Sequence, residues 1–239
     1  MLNCVLASTS TVYGKPFLSY LLPEISELFN TSREIIFIPY AQPGGISYTD
    51  YTEKVSLAFR TLNITVKGLH EFENPNEAIS QAQGLFIGGG NTFVLLKTIY
   101  DLGLIQSLKK AVTNGTPYLG TSAGTNICGP TICTTNDMPI VYPPSFDSLN
   151  IVPFQINPHF IDADQNSRHM GETRATRIAE YHHHHKTPVL GLREGSYVEL
   201  KNGMIKLKGS LSAPLFQAEN ETQELLSGSD LSWIKSNYR

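Results

Sequence analysis

The sequence predicts an α/β fold: one largely parallel central sheet flanked by helices, with a β-hairpin toward the C-terminal end. Three observations carry this reading. Short apolar runs alternate with segments of helical periodicity, the pattern of a sheet covered on both faces. Two of those runs pass directly into glycine-rich loops that open helices, at Gly88-Gly89-Gly90 and at Gly120-Thr121-Ser122-Ala123-Gly124. A length of 239 residues with 41% hydrophobic content suits one α/β domain over residues 1–239 with a core of its own.

Taken in order, Cys4, Val5, Leu6 and Ala7 read as the first strand; the start has no basic region or small-residue cleavage site of a signal peptide. Residues 17–29 carry apolar side chains at helical spacing, and 35–38 form a strand ended by Pro39. A Gly-Gly loop precedes a helix over 51–62, a third strand over 64–69 and a short helix over 75–81. Residues 85–87 are a buried strand, and 93–100 the helix behind its glycine loop. Residues 129–158, with Pro130, Pro139, Pro143, Pro144, Pro153 and Pro158, predict short strands and loops near a site. A helix over 171–181 and a strand over 188–192 follow. Residues 197–200 and 204–207 pair as a hairpin about Asn202-Gly203, a dipeptide suited to the tight turn.

Charge and cysteine usage remove several function classes. The net charge is -3 and no basic block occurs, so a nucleic-acid surface, which needs clustered Lys and Arg to displace counterions, is not expected. No apolar run reaches membrane-spanning length. Cys4, Cys128 and Cys133 are odd in number and form no Cys-x-x-Cys, which suggests neither a disulfide framework nor a zinc site and points to a reducing, cytoplasmic setting. Consecutive residues His182 to His185 cannot all face one ion from a helix or strand, so no metal or other cofactor is expected.

The chemistry concentrates at Ser122. A serine hydroxyl is a poor nucleophile until the backbone exposes it and a base reaches it. In Gly-x-Ser-x-Gly the glycines relieve crowding at a sharp strand-to-helix turn, which lifts the hydroxyl to the carboxyl end of a sheet beside helix N-terminal N–H groups. The loop at 88–90 has the same orientation, and in a parallel sheet both loops lie where ligands bind. The alternative for each is a glycine turn with no task.

A nucleophilic serine needs a base, and the base an orienting group. His70, His159 and His169 compete for the first role; His159 is favoured because Pro158 fixes the approach of the chain. Asp162, Asp164, Glu172 and Glu194 compete for the second. Glu194 sits just past an apolar strand, beside glycine, yet its neighbour Arg193 offers an ordinary ion pair as the rival explanation. The order Ser122, His159, Glu194 does not match that of α/β-hydrolases, in which the acid precedes the histidine.

Several segments together resemble the peptidase E family: Ile38-Pro39-Tyr40, Gly88 to Phe93, Gly120 to Gly124, Thr134 to Ile140, Ile156 to Phe160, Gly171 to Arg174 and Gly191 to Gly195. Members of that family are serine dipeptidases that remove an N-terminal aspartate from Asp-X dipeptides on a class I glutamine amidotransferase-like fold. Related amidotransferases carry a cysteine elbow and a His-x-Glu pair, whereas here the elbow holds Ser122 and Phe160-Ile161 follow His159. The resemblance implies Ser122 as nucleophile, His159 as general base and acid, and Glu194 as the group that orients it. It implies an oxyanion hole from the N–H groups of Ala123 and Gly90, and Arg174 as reader of the aspartyl carboxylate, a bidentate task that suits a guanidinium. Asn91, Asn136 and Asp137 are expected to hold the substrate's α-amino group or line its pocket. Arg193 departs from the small or imino residue of the family and sets a cation beside Glu194. The expected partner is a small dipeptide, with the chain a monomer or homodimer. Two other readings share the scaffold: a cyanophycinase-like peptidase acting on β-aspartyl linkages, and a non-catalytic module binding a small ligand.

Overall fold

In the computed structural model, which describes residues 1–164, 166, 168 and 170–235, a central sheet carries five parallel strands: β1 (Cys4–Ala7), β2 (Glu34–Ile38), β3 (Thr65–Gly68), β4 (Leu85–Ile87) and β5 (Tyr118–Thr121). Their order is β3-β2-β4-β5-β1, extended past β1 by the antiparallel pair β8 (Ser196–Lys201) and β9 (Met204–Gly209). The two-residue turn between β8 and β9 places Asn202 and Gly203 at φ of 54° and 78°, as the expected hairpin requires.

The inner strands β1, β4 and β5 are buried at every position because both faces are covered, whereas the edge strand β3 alternates and leaves Thr65 and Lys67 exposed. Successive residues of each strand alternate between two cores: Val5, Ile35, Phe37, Phe86 and Leu119 face one, and Leu6, Ile36, Ile38, Leu85 and Ile87 the other. The first core is closed by α1 (Leu22–Leu28) and α2 (Tyr48–Phe59). The second is closed by α3 (Pro75–Gln81), α4 (Thr92–Asp101) and α5 (Ile105–Thr113). Fully buried Phe37 meets Tyr51 of α2 edge-on at 4.8 Å and Phe86 at 5.0 Å. Burial of one such ring is worth about 1.5–3 kcal/mol. It also fixes Tyr51, whose hydroxyl reaches the glycine loop behind β4.

Helix α1 begins later than the periodicity of 17–29 predicts. Leu18 sits at φ 58° and a 3-10 turn over Ser19–Leu21 precedes the helix, so Phe17 and Leu18 pack from a loop. Helix α5 is an element the sequence reading does not assign. Residues 129–154 form a coil without strands apart from the isolated bridge between Thr131 and Asp147.

The larger difference is a second sheet. The strands β6 (Gln155–Pro158) and β7 (Val189–Leu192) pair in parallel, and β10 (Ala213–Phe216) and β11 (Gln223–Leu225) extend the sheet beyond β7 in antiparallel fashion. The short helix α6 (Ala123–Asn126) joins the two sheets: the buried Asn126 amide donates to the Ile156 carbonyl of β6 at 2.8 Å.

Candidate active site

Ser122 occupies the turn between β5 and α6 at φ 54° and ψ -112°. A non-glycine residue held there costs on the order of 1–3 kcal/mol and persists only when its surroundings over-determine it. They do. The Ser122 N–H donates to the Ala7 carbonyl at 3.1 Å, and buried Thr125 Oγ1 donates to the same oxygen at 2.7 Å. A Cβ at Gly120 would strike the Gly124 carbonyl, and one at Gly124 the Ile87 carbonyl, so both flanking glycines are required by close approach.

His159 and Glu194 owe their proximity to strand register. In β6 and β7 Pro158 lies opposite Leu192, so the residues that follow each strand emerge side by side. His159 Nδ1 lies 2.6 Å from Glu194 Oε1, and His159 Nε2 lies 2.9 Å from Ser122 Oγ. His159 also has a positive φ of 53°. Its N–H donates to Ser8 Oγ at 2.8 Å, while Ser8 Oγ donates to the Leu192 carbonyl at 2.7 Å. Ser8, fully buried just beyond β1, therefore ties the central sheet to the ends of β6 and β7. No motif in the sequence marks it.

The rival partners lie elsewhere. Arg193 turns away from Glu194: its guanidinium donates to Asp162 (2.6 and 2.7 Å), to Glu224 (2.5 Å) and to the Ser212 carbonyl (2.7 Å). Those hydrogen bonds raise the Arg193 pKa and hold the Asp162 and Glu224 carboxyls below their ordinary values. Asp164 accepts the Asn166 N–H, and Glu172 is exposed. His70 lies against Tyr48 and Thr49 and lines neither cavity described below. His169 falls outside the described residues.

Two cavities meet at the hydroxyl–imidazole pair and share only those two residues. The first, about 260 Å³, is lined by Ala123, Asn136, Asp137 and Arg174 among others. Arg174, the first residue of α7 (Arg174–His182), forms no ion pair among the described residues. Burial, then the charge of Arg177, lowers its pKa, with Asp137 opposing; the guanidinium stays charged, and among the described residues no carboxylate makes a direct ion pair with it. Asp137 Oδ2 accepts from the Thr92 N–H at 2.7 Å and the Thr92 hydroxyl at 2.6 Å, which leaves Oδ1 unpaired among the described residues.

Both asparagine side chains are hydrogen-bonded within the protein, and of the two only Asn136 lines the first cavity. The Asn136 amide donates to the Pro158 carbonyl at 2.7 Å and accepts from Asn157, which steadies the approach to His159. Asn91 caps α4, accepting the Val94 N–H at 3.1 Å, and donates to the Met138 carbonyl; it lines neither cavity. Thr92, Asn126 and Thr135 line the first cavity and escape the sequence reading, since only the fold brings 92 and 135 together.

The second cavity, about 480 Å³, includes Gly89, Gly90, Tyr51 and Lys54. The Gly89 carbonyl accepts from Gln42 Nε2 at 2.8 Å and from the Tyr51 hydroxyl at 3.3 Å. Burial pushes the Tyr51 phenol up to about 12, so it remains a donor at neutral pH. A trans peptide sets its N–H opposite its carbonyl, so the Gly90 N–H points away from Gln42 and has no acceptor among the described residues. Another cavity, about 450 Å³ beside His182, His183 and Phe216, shares no residue with these two. Among the described residues no group of three or more His, Cys, Asp or Glu side chains is placed to hold a metal ion.

The model of peptidase family S51 matches residues 4–208. The chain belongs to this family. It is 43% identical over 231 residues to peptidase E of Streptomyces coelicolor, covering 97% of this chain and 94% of the relative. It is 41% identical over 235 residues to a probable alpha-aspartyl dipeptidase of Drosophila melanogaster, covering 97% of each. Two solved structures share the S51 chain's fold. One is a putative peptidase E protein from Listeria monocytogenes EGD-e (TM-score 0.65, 22% identity, 88% of this chain and 99% of that one). The other is a peptidase from an acI-B1 Actinobacterium (TM-score 0.73, 15% identity, 98% and 97%). At those identities the likeness establishes the α/β fold alone.

Proposed function

We propose that this S51 peptidase is a serine dipeptidase that hydrolyses Asp-X dipeptides through Ser122, His159 and Glu194. The observation that carries the proposal is the relay of 2.9 Å from hydroxyl to imidazole and 2.6 Å from imidazole to carboxylate. Ser122 Oγ attacks the scissile carbonyl as His159 Nε2 takes its proton, and Glu194 holds Nδ1–H and stabilises the imidazolium. The tetrahedral oxyanion is met by the Ala123 and Gly90 N–H groups, each worth about 3–4 kcal/mol of barrier. The C–N bond breaks as His159 protonates the leaving amine. Water, deprotonated by the same imidazole, then attacks the acyl ester and frees Ser122.

In the first cavity Arg174 pairs with the aspartyl carboxylate, and Asp137 Oδ1 takes the α-ammonium. Asn136 lines this pocket, and Asn91 is assigned no contact with substrate. The relatives named peptidase E and alpha-aspartyl dipeptidase support the substrate class. We place the enzyme in the cytoplasm on its three free thiols, with Cys133 exposed, as a monomer or homodimer without a nucleic-acid partner. No helix among the described residues is long and apolar enough to cross a membrane. A panel of α- and β-linked Asp dipeptides tests the reading: turnover of the α-linked set is expected, and turnover of β-linked substrates alone would refute it.

A further inference from the structure

We infer that the second cavity receives the leaving residue and that Lys54 binds that residue's free α-carboxylate, so that the enzyme selects for peptide length as well as for aspartate. The inference rests on the aspartyl dipeptidase reading above. The two cavities meet only at Ser122 and His159. With the acyl half of the substrate held on the Arg174 side, the amine that leaves must lie across the hydroxyl, in the cavity bordered by Gly90 and His159. Its volume of about 480 Å³ falls within the range of small-ligand pockets, about 300–1,000 Å³.

The wall of this cavity has the character that an amino acid with a free carboxylate requires. Lys54, on α2, is its one lysine or arginine, and no aspartate or glutamate lines it among the described residues. Lys54 makes no ion pair among those residues, although Lys67, Lys97, Lys201 and Lys208 each do. Its ammonium lies 4.6 Å from the centre of the Phe17 ring, which draws the side chain over the cavity without neutralising it. Phe17 and Ile46 supply apolar surface for a variable side chain, and Thr9 and Ser10 border the same space. A C-terminal carboxylate reaching Lys54 gains a charge-assisted hydrogen bond; the neutral amide of a blocked or longer peptide does not.

The test is the ratio of kcat/KM for Asp-Leu over its C-terminal amide, Asp-Leu-NH2, in the wild type, Lys54→Met and Lys54→Arg. Wild type is expected to favour the free acid by about tenfold or more. Lys54→Met should bring the ratio close to one, and Lys54→Arg should restore most of it. A wild-type ratio near one, or an unchanged ratio in Lys54→Met that melts like wild type, overturns the inference. Asp-p-nitroanilide, which carries no carboxylate in the leaving group, reports the underlying reading separately. Wild type inactive on all three substrates overturns that reading and the inference with it.

Discussion

Ser8 offers a sharp test of how the two sheets hold the proposed base. Its hydroxyl is fully buried, accepts the His159 N–H at 2.8 Å and donates to the Leu192 carbonyl at 2.7 Å. In Ser8→Ala the Leu192 carbonyl keeps the Phe160 N–H at 3.1 Å, but the His159 N–H loses its acceptor. An orphaned donor costs about 1–3 kcal/mol. For a chain of this size each kcal/mol lowers the melting temperature by about 2–4 °C, so a fall of roughly 2–12 °C is expected by thermal melting. The left-handed φ of 53° at His159 is then held by less, and the imidazole loses its fixed distance from Ser122. A displacement near 1 Å in such a relay costs on the order of a hundredfold, so kcat on Asp-p-nitroanilide should drop ten- to a hundredfold while KM moves little. The melting shift should persist in a Ser122→Ala background, since the lost hydrogen bond does not involve that hydroxyl. Melting within about 1 °C of wild type, together with kcat/KM within about twofold, would refute the reasoning.

Other perturbations follow from the same geometry. Ser122→Ala should abolish turnover, and Ser122→Gly should be more stable than Ser122→Ala by about 1–3 kcal/mol in urea titrations, because only glycine relieves the backbone at φ 54°. Arg174→Ala should raise KM and lower kcat for Asp substrates, with a combined loss of roughly 2–4 kcal/mol, and Arg174→Lys should recover only part of it; equal wild-type rates on Asp and Leu substrates would show that the arginine reads nothing. Arg193→Gln should destabilise the fold at pH 7 by about 1–2 kcal/mol, the low end for charge-assisted bonds because Asp162 and Glu224 are largely solvent-exposed. Both carboxyls have pKa values depressed below their unfolded values, so that contribution is present above about pH 4 and is lost as pH falls through the folded values. The melting gap between wild type and Arg193→Gln should accordingly narrow in acid.

What the sequence made legible divides by how local the cause is. The strand at 85–87 and the helix at 75–81 match the structure residue for residue, since apolar run and helix start are written within each segment. The elbow was readable because its glycines are required by contacts a few residues away and by the neighbouring strand. Helix 17–29 was overextended because nothing in its periodicity shows that Leu18 adopts a left-handed conformation. The second sheet was not readable: β10 contains Pro214, and its pairing with β7 joins residues far apart in the chain. Yet this sheet sets His159 beside Glu194, so the histidine and the acid could be shortlisted from sequence while their partnership awaited the β6–β7 register.

Arg193 carries the argument furthest. In the sequence it is the rival for Glu194, and proximity along the chain favours that pairing. In the fold, consecutive residues past the end of β7 diverge: Arg193 turns toward Asp162, Ser212 and Glu224, and Glu194 toward His159. The cation that threatened to neutralise the acid instead anchors the segment from which Glu194 projects, fastening it to the edge of β10 and to β11. An arginine beside the acid is thus compatible with the proposed relay because two other carboxylates occupy it. Removing Asp162 and Glu224 together, as Asp162→Asn with Glu224→Gln, should release that guanidinium toward Glu194 and lower kcat, although neither residue touches the serine or the imidazole.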